Sequence, residues 1–586
     1  MPKERIETTQ EAGVSNAQVA GRLSEYADVL EVGGVEGFRV RAYRSAARSI
    51  ENLGYDVGSI ALEGGVKELK RLPAIGDRMA KKILEIVETG TLAALETARK
   101  EVPRELTDLL ALEGLGPKKL HVLHKELGIR NVDDLEKAID ADRLASLPGF
   151  AKKTAEKLRV AIGHFRRWQG RFRRVDIEPY AFALLDHLAT LAEVQQIEIA
   201  GSFRRGKDTV GDLDILCIAE DVDVVMDAFA NFSAVGEVLL RGSTKTAVRL
   251  ESGLQVDLRI VESTAFGAAL HYFTGSKEHN VVIRGLAKDR GLKINEYGVF
   301  KGDERVGGRT EEEVFGLVDC AYIPPELREN RGEFEAANAG ELPCLIERLD
   351  IIGDLQMHST ASDGLHTVEE MAQAAKVMGH QYIAITDHSK AVTVANGLDD
   401  ARMKAHAAAI RGVHVKDITV LAAVEVDILR DGSLDLEDET LRELDVVVAS
   451  VHSYMALPVA EQTERVVRAI ESGLIHILAH PTGRLIQQRE PFPMDMEVVI
   501  RACVEHNVAL EINAHPARLD LNDIHARMAR DLGAKIVIST DAHTADDLVL
   551  MDYGVQVARR AWLTREHVLN TLPLKEFLAA IDRGSA

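Results

Sequence analysis

From Leu349 onward the chain repeats one unit: a short apolar run, a polar residue able to bind metal at its end, then a helical stretch. The runs end in Asp354-Leu-Gln356-Met-His358, Ala384-Ile-Thr386-Asp387-His388, Val424-Glu425-Val-Asp427, Ala449-Ser-Val-His452, Leu478-Ala-His480-Pro481, Glu511-Ile-Asn513 and Ile538-Ser-Thr-Asp541-Ala-His543. Strands alternating with helices, with polar groups at the C-terminal strand ends, describe a βα barrel whose site lies at its mouth. Histidine combined with carboxylate suits zinc or manganese. One such histidine alone is more often a packed or hydrogen-bonded side chain. Seven strand ends that each carry a polar group leave that reading little room.

A second constellation lies upstream. Ala200-Gly201-Ser202-Phe203-Arg204-Arg205-Gly206 combines small residues, a hydroxyl and guanidinium groups in a form suited to holding phosphate, and Gly211-Asp212-Leu213-Asp214-Ile215-Leu216 follows. The apolar, β-prone run predicts a strand over 212–218. Side chains two apart on a strand share a face, so Asp212 and Asp214 point the same way, as needed to hold magnesium against a triphosphate. The bland alternative is a capped turn and two solvated aspartates. Asp257, in the alternating run Gln255-Val256-Asp257-Leu258-Arg259, would complete a three-carboxylate site, or would simply pair with Arg259 or Arg249. Strands are also expected over Ile197–Ala200, Ala247–Leu250 and Leu254–Ile260. Tyr272 and Phe273 precede Gly275-Ser276 and form either core or a flat wall against a sugar. Asn280 and Arg284 share one face of the helix expected next, and both can reach minor-groove acceptors.

Residues 1–160 read as helices joined by short turns. Leu72-Pro73-Ala74-Ile75-Gly76, Leu112-Glu113-Gly114-Leu115-Gly116-Pro117-Lys118 and Leu147-Pro148-Gly149-Phe150-Ala151-Lys152 each place a tight turn before a basic helix. Any helix pair needs a tight connection. Three such turns with Arg78, Lys118 or Lys152 just beyond them instead resemble helix-hairpin-helix elements, whose small residues let backbone N–H groups approach a DNA phosphate. The net charge of −22 argues against nucleic-acid binding on average, but Arg39 to Arg48 and His164 to Arg174 are locally basic. The four cysteines are far apart and form no Cys-x-x-Cys, as expected of reduced thiols, mostly buried. Neither a leader segment nor an apolar run of about eighteen residues is present, so a cytoplasmic protein without a membrane span is expected.

In the order and spacing of Gly201–Gly206, Gly211-Asp212-x-Asp214, Asp257, Tyr272-Phe273-Thr274-Gly275-Ser276, Asn280, Arg284 and Ile294-Asn295-Glu296-Tyr297, residues 1–325 resemble the family X DNA polymerases. The resemblance implies that Asp212 and Asp214 ligate two metals, magnesium or manganese, and that Asp257 binds the catalytic one and helps activate the primer 3′-hydroxyl. It implies triphosphate contacts from Ser202, Arg205 and Gly211, with Arg174 as a helper. Tyr272, Phe273 and Gly275 would contact the incoming nucleotide, and Asn280 and Arg284 would check the new pair. Val210 and Gln255 stand where the vertebrate pattern has serine and arginine, which bears on triphosphate binding and on the tuning of Asp257. The first ninety residues resemble the small lyase domain. Lys82 matches its Schiff-base lysine, and Arg39, Tyr43, Arg44 and Arg78 match the surrounding 5′-phosphate pocket. The alternative is that Lys82 is a surface lysine beside Lys81.

Residues 349–586 resemble the polymerase-and-histidinol-phosphatase (PHP) domain, a distorted barrel with a trinuclear centre, expected to hold zinc or manganese. The resemblance implies one metal on His358, Glu425 and Asp541, a second on Glu425, His452 and His480, and a third on Asp363, His388 and His543. The family supplies a histidine where this chain has Gln356, a weaker, neutral ligand. His515 is expected to be a non-ligand.

The expected architecture is multidomain α+β and α/β. It runs as a lyase-like helix-hairpin-helix domain (1–90), fingers (91–168), a nucleotidyltransferase palm (169–262), a thumb (263–325), a linker (326–348) and the PHP barrel (349–586). The expected function is a DNA-directed DNA polymerase that fills short gaps in repair, with a 3′→5′ exonuclease or abasic-site and 3′-end processing activity in the barrel. Its partners would be gapped or primed duplex DNA and deoxynucleoside triphosphates, and it would act as a nucleoid-associated monomer. The alternative is a DNA gap- or end-binding scaffold with a degenerate barrel. For the barrel alone, a small-molecule phosphatase is a further reading.

Overall fold

The computed structural model describes residues 16–582, apart from 36, 52, 54–56, 113–114, 148–149, 151–154, 156, 160–161, 163–169 and 488. Gly114, Gly149 and Lys152, expected in hairpin turns, lie outside the described residues. The chain divides into two compact units, Met1–Arg171 and Phe172–Ala586.

The first unit is helical. Its helix Asp77–Thr89 shows the local logic: Met79, Ala80, Ile83, Ile86 and Val87 recur at helical spacing and form the buried stripe. The helix ends at Gly90, whose φ of 69° lets its N–H reach the Ile86 carbonyl. Leu23, Ile50, Ile83, Leu120 and Leu135 are fully buried in one shared core.

The second unit begins with a five-stranded sheet in the order Val194–Ile199, Asp212–Ala219, Gln255–Ile260, Lys245–Leu250, Val235–Arg241. The strand Asp212–Ala219 pairs antiparallel with Val194–Ile199 and parallel with Gln255–Ile260. Leu213, Ile215 and Cys217 turn into the core beneath it, which leaves the other face for the aspartates. Helices Phe266–Thr274 and Lys277–Asp289 and a small antiparallel sheet follow. The packing of Val299, Phe315 and Ile323 there also takes in Trp562, from the far end of the chain.

Seven parallel strands then run in sequential order, from Gly353–Asp354 to Ile536–Ser539. Nearly every strand residue is buried, as a sheet covered by helices on one side and filled on the other requires. The first and last strands meet across a seam. Asp541 N–H donates to the Gln356 carbonyl (3.0 Å) and His358 N–H to the Ala542 carbonyl (2.8 Å). The buried Asn570 amide donates to the Gly353 and Ile538 carbonyls and accepts from Ile538 N–H.

The stretch 326–348, expected as a linker, is instead packed into the unit. It contains the helix Glu333–Ala339, and Arg328 and Glu333 are fully buried. Glu333 accepts from the Asn330 and Arg331 backbone N–H groups and lies 2.9 Å from His279 Nδ1. Its Pro, Gly and acidic content reads as a flexible spacer, but these charges have partners supplied by elements distant in sequence, which composition does not reveal.

Candidate metal centres

The palm centre is built by strand register. Asp214 stands opposite Asp257 in the parallel pairing, two residues along from the Asp212–Gln255 pair. Asp212 is exposed, Asp214 half-buried and Asp257 7% exposed, so the three carboxylates span the rim and floor of one site. Burial, then the neighbouring Asp212 and Asp257 carboxylates, push the Asp214 carboxyl up to about 7. Crowding of this kind makes full ionisation costly, and the oxygen-only donor set fits magnesium or manganese. Asp257 is paired, but not mainly as expected. Lys245 Nζ lies 2.5 Å from its Oδ2 and Arg259 only 3.8 Å away. The Gln255 amide donates to its other oxygen at 3.1 Å.

The turn Gly201–Gly206 abuts these carboxylates. Gly201 adopts φ 66°, and a Cβ there would lie 3.0 Å from the Asp214 carboxylate. The Ala200 N–H donates to the Asp214 carbonyl, locking turn to strand. Ser202 and Gly211 are both partly exposed beside it. Arg205 is already engaged: its Nη1 donates to the Thr274 carbonyl (2.5 Å) and its Nε to Glu329 (3.0 Å). Gly275 is close by, and a Cβ on it would lie 3.3 Å from Arg205 Nη1. Arg174 donates to the Phe203 carbonyl (2.6 Å) and lies over the Phe203 ring, bracing the turn from below. Val210 is fully buried. Tyr272 and Phe273 meet edge to face, with Arg259 over the Phe273 ring. Asn280 donates to the Tyr272 carbonyl (2.7 Å), and Arg284 on the same helix is exposed.

The barrel centre is organised around Glu425, 1% exposed. Its Oε1 lies 3.0 Å from His480 Nε2 and 3.4 Å from His452 Nε2; its Oε2 lies 3.1 Å from His388 Nδ1 and 3.5 Å from His358 Nε2. His358 Nε2 is also 3.1 Å from Asp541 Oδ1. Asp363 Oδ2 sits 3.6 Å from His388 and 3.5 Å from His543. The side chains gather as His358, Glu425 and Asp541; as His358, Asp363, His388 and His543; and as His388, Glu425 and His452. The first set matches the expected one. The second adds His358 to the expected set, and in the third His388 stands with Glu425 and His452 where His480 was expected. The buried Nδ1 atoms of His358 and His480 have no hydrogen-bond partner. Imidazoles and carboxylates with orphaned ring nitrogens fit zinc or manganese. His480 and Asp541 adopt φ of 28° and 57°, a strained region for such residues and a common mark of functional positions. His515 joins none of these sets.

Gln356, 1% exposed, has its amide nitrogen against the carboxylate of the fully buried Glu511, leaving only its neutral oxygen as a metal donor. Burial, then the Asp541 charge, push the Glu511 carboxyl well up, so a donor beside it is favourable. Glu511, Asp387 and Asp427 stand at strand ends where local sequence marks no separate role for them. Asp387 accepts from His406 Nε2 (2.7 Å) and the Ser359 N–H, while Asp427 lies 3.2 Å from His452 Nδ1. The Asp427 contact orients the His452 ring. Arg518 was missed altogether, and no local pattern marks it. It lines the 220 Å³ cavity over the centre, with its Nε 3.6 Å from Asp541.

In the first unit, Lys82 Nζ lies 5.4 Å from the centre of the Tyr26 ring, whose hydroxyl accepts from Arg39 (3.1 Å) and whose edge meets Tyr43. Lys81, by contrast, is exposed and paired with Asp77. Arg44 pairs with Asp28 and Glu31, and Arg78 is exposed. Gly76 and Gly116 open the helices Asp77–Thr89 and Pro117–Leu127, with nothing within 4 Å of where a Cβ would stand. Lys118 is exposed on the first turn of the second helix.

Family models match along most of the chain: a helix-hairpin-helix domain over 14–92, a SAM-like helix-hairpin-helix tandem over 106–163, the DNA polymerase beta palm over 171–248, the DNA polymerase beta thumb over 269–329, and a PHP domain over 354–515. The chain is similar to the DNA polymerase/3′-5′ exonuclease PolX of Bacillus subtilis (strain 168), 38% identical over 96% of this chain and 98% of that protein. Its barrel is similar to probable phosphatases of Thermoanaerobacter sp. (strain X514) and Shewanella sp. (strain MR-4), 29% and 30% identical over 39% of this chain and 95% and 92% of theirs. Palm, thumb, hairpins and barrel thus occur together in one order in a relative that this chain covers almost completely, and the chain belongs to the family X DNA polymerases that carry a PHP domain.

Proposed function

We infer that this chain is a DNA-directed DNA polymerase that also carries a 3′→5′ exonuclease in its PHP domain. The observation that supports it best is the convergence of Asp212, Asp214 and Asp257 beside the Gly201–Gly206 turn, since a protein that only binds DNA has no use for three crowded carboxylates.

In the palm, Asp212, Asp214 and Asp257 would hold magnesium or manganese, which when bound neutralises the charge developing between primer and triphosphate. Asp257, held by Gln255 and Lys245, orients the primer 3′-hydroxyl. Ser202 and the backbone at Gly211 receive phosphate oxygens, and Arg205 adds positive charge at fixed geometry because Thr274 and Glu329 pin it. The Tyr272–Phe273 pair forms the wall against the sugar, excluding a 2′-hydroxyl, and Asn280 and Arg284 face the new base pair. Primer extension on gapped duplex by the wild type and by Asp257→Ala tests this. No extension by the wild type, or equal extension by the variant, rejects the polymerase.

In the barrel, His358, Asp363, His388, Glu425, His452, His480, Asp541 and His543 would hold zinc or manganese, with Gln356 as an oxygen donor at most; bound metal supplies the charge that activates water for phosphodiester attack. Arg518 places a guanidinium over the centre, where it can bind a phosphate oxygen. A barrel that acts instead on phosphate monoesters is favoured by the similarity to the probable phosphatases. Assaying the Asp257→Ala protein on 3′-labelled oligonucleotides and on monoesters separates the two.

Gap filling in repair, with gapped duplex DNA and deoxynucleoside triphosphates as substrates, is the finer reading. The exposed hairpin turns at Gly76 and Gly116 support it as DNA-backbone contacts. The Lys82–Tyr26–Arg39 cluster supports a lyase step on a 5′-terminal abasic sugar. No helix among the described residues is long and apolar enough to cross a membrane. A cytoplasmic, monomeric enzyme is the simplest assignment.

A further inference from the structure

The triphosphate-binding turn is held by the barrel as well as by the palm. The barrel helix Met551–Arg560 lies against it. Arg560, 2% exposed, donates its Nη1 to the Arg205 carbonyl (2.7 Å) and to Glu329 (3.1 Å), and its Nη2 to Asp523 (2.7 Å). Glu329 also carries Arg205 Nε, so one carboxylate joins the nucleotide-site arginine to the barrel arginine. Against the opposing effect of burial, Arg560, Lys207 and Arg205 hold the Glu329 carboxyl down to about 2, so it stays charged at neutral pH.

The same helix reaches the turn twice more, once directly and once through palm residues. Gln556 fills the space beside Gly206, whose φ is 70°, and leaves no room there for a Cβ. The Tyr553 hydroxyl donates to Glu178, which pairs with Arg174, and Arg174 supports the Phe203 carbonyl from the other side. A further barrel residue, Arg484, holds Asp208 at 2.8 Å, just beyond the turn. The segment from Phe203 to Asp208 is thus held by barrel side chains directly at Arg205, Gly206 and Asp208, and indirectly, through Glu178 and Arg174, at Phe203.

We propose that the barrel helix Met551–Arg560 is a positioning element of the polymerase site, with Arg560 and Tyr553 setting the conformation of the triphosphate-binding turn, so that affinity for the incoming nucleotide depends on the PHP domain. The proposal rests on the reading of Ser202 and Arg205 as triphosphate contacts. A guanidinium that bonds a main-chain carbonyl and two carboxylates at once fixes direction as well as distance. Lysine at 560 keeps the charge but not that geometry.

The test is single-nucleotide extension on gapped DNA by the full-length chain with the deoxynucleoside triphosphate titrated. Arg560→Gln is expected to raise KM for the nucleotide about tenfold and Tyr553→Phe about threefold, with kcat changing less; Arg560→Lys falls between Arg560→Gln and the wild type. KM for gapped DNA and the exonuclease rate should stay within about twofold of the wild type. A purely structural role would instead lower thermal stability and all these rates together. An unchanged nucleotide KM in Arg560→Gln with normal exonuclease overturns the proposal. Should Arg560→Gln fail to fold, an unchanged nucleotide KM in Tyr553→Phe overturns it. Wild-type extension that vanishes in Asp257→Ala shows that the polymerase reading stands even where the positioning role fails.

Discussion

Asp214 faces Asp257 across adjacent parallel strands, and the two carboxylates share the site with Asp212. The strand Asp212–Ala219 supplies two acids by alternation, and the register of Gln255–Ile260 supplies the third. Lys245, from the next strand over, sits 2.5 Å from Asp257 and balances part of the charge.

Replacing Asp257 by alanine should lower primer extension by at least about a thousandfold, since on the proposed reading it removes both a metal ligand and the group that orients the primer 3′-hydroxyl. The barrel lies elsewhere in the unit, so 3′→5′ degradation of a labelled strand by the same preparation should persist. Retained extension contradicts the assignment of Asp257.

Gln356→His should increase the metal bound by the barrel. An imidazole in place of a neutral amide oxygen is a stronger ligand, and it can still donate a ring N–H toward Glu511. Elemental analysis after dialysis should show more zinc or manganese per chain than in the wild type. Equal metal content would mean that position 356 is not a ligand site.

Arg518→Ala should cut exonuclease activity about tenfold to a hundredfold while nucleotide incorporation stays unchanged, because the guanidinium lines the barrel cavity beside Asp541. The measurement is release of the 3′-terminal nucleotide, with primer extension run in parallel. Equal loss in both assays would indicate a structural role.

The Glu311 cluster makes stability pH-dependent. Although burial opposes it, Arg328 and Arg204 hold the Glu311 carboxyl down to about 2. A carboxyl lowered from 4.5 contributes stability that is fully present above the unfolded value and is lost as pH falls toward 2. The contribution is on the order of 3 kcal/mol. Urea midpoints should fall between pH 5 and pH 3, as about two pH units of linkage require, and less steeply in Glu311→Gln. Parallel curves would remove Glu311 as the cause.

Lys82→Ala should abolish borohydride trapping of a 5′-terminal abasic sugar, whereas Lys81→Ala should not, because Lys82 lies over the ring of Tyr26, whose hydroxyl accepts from Arg39, and Lys81 is paired with Asp77. Trapping that survives in Lys82→Ala would place the amine elsewhere.

Much was legible without coordinates wherever a short local period carried the information. Alternation along 212–218 placed Asp212 and Asp214 on one face, and apolar runs ending in polar groups marked the strands of the barrel, because strand geometry converts spacing directly into direction. What local pattern does not carry is who stands beside whom. The pairing of Asp214 with Asp257, the role of Glu425 as the shared carboxylate of five strand ends, the packing of 326–348 and the hold of Arg560 on Arg205 all depend on contacts between segments far apart in the chain. Such contacts follow from how apolar faces stack and which buried charges find partners, and only the folded chain decides those.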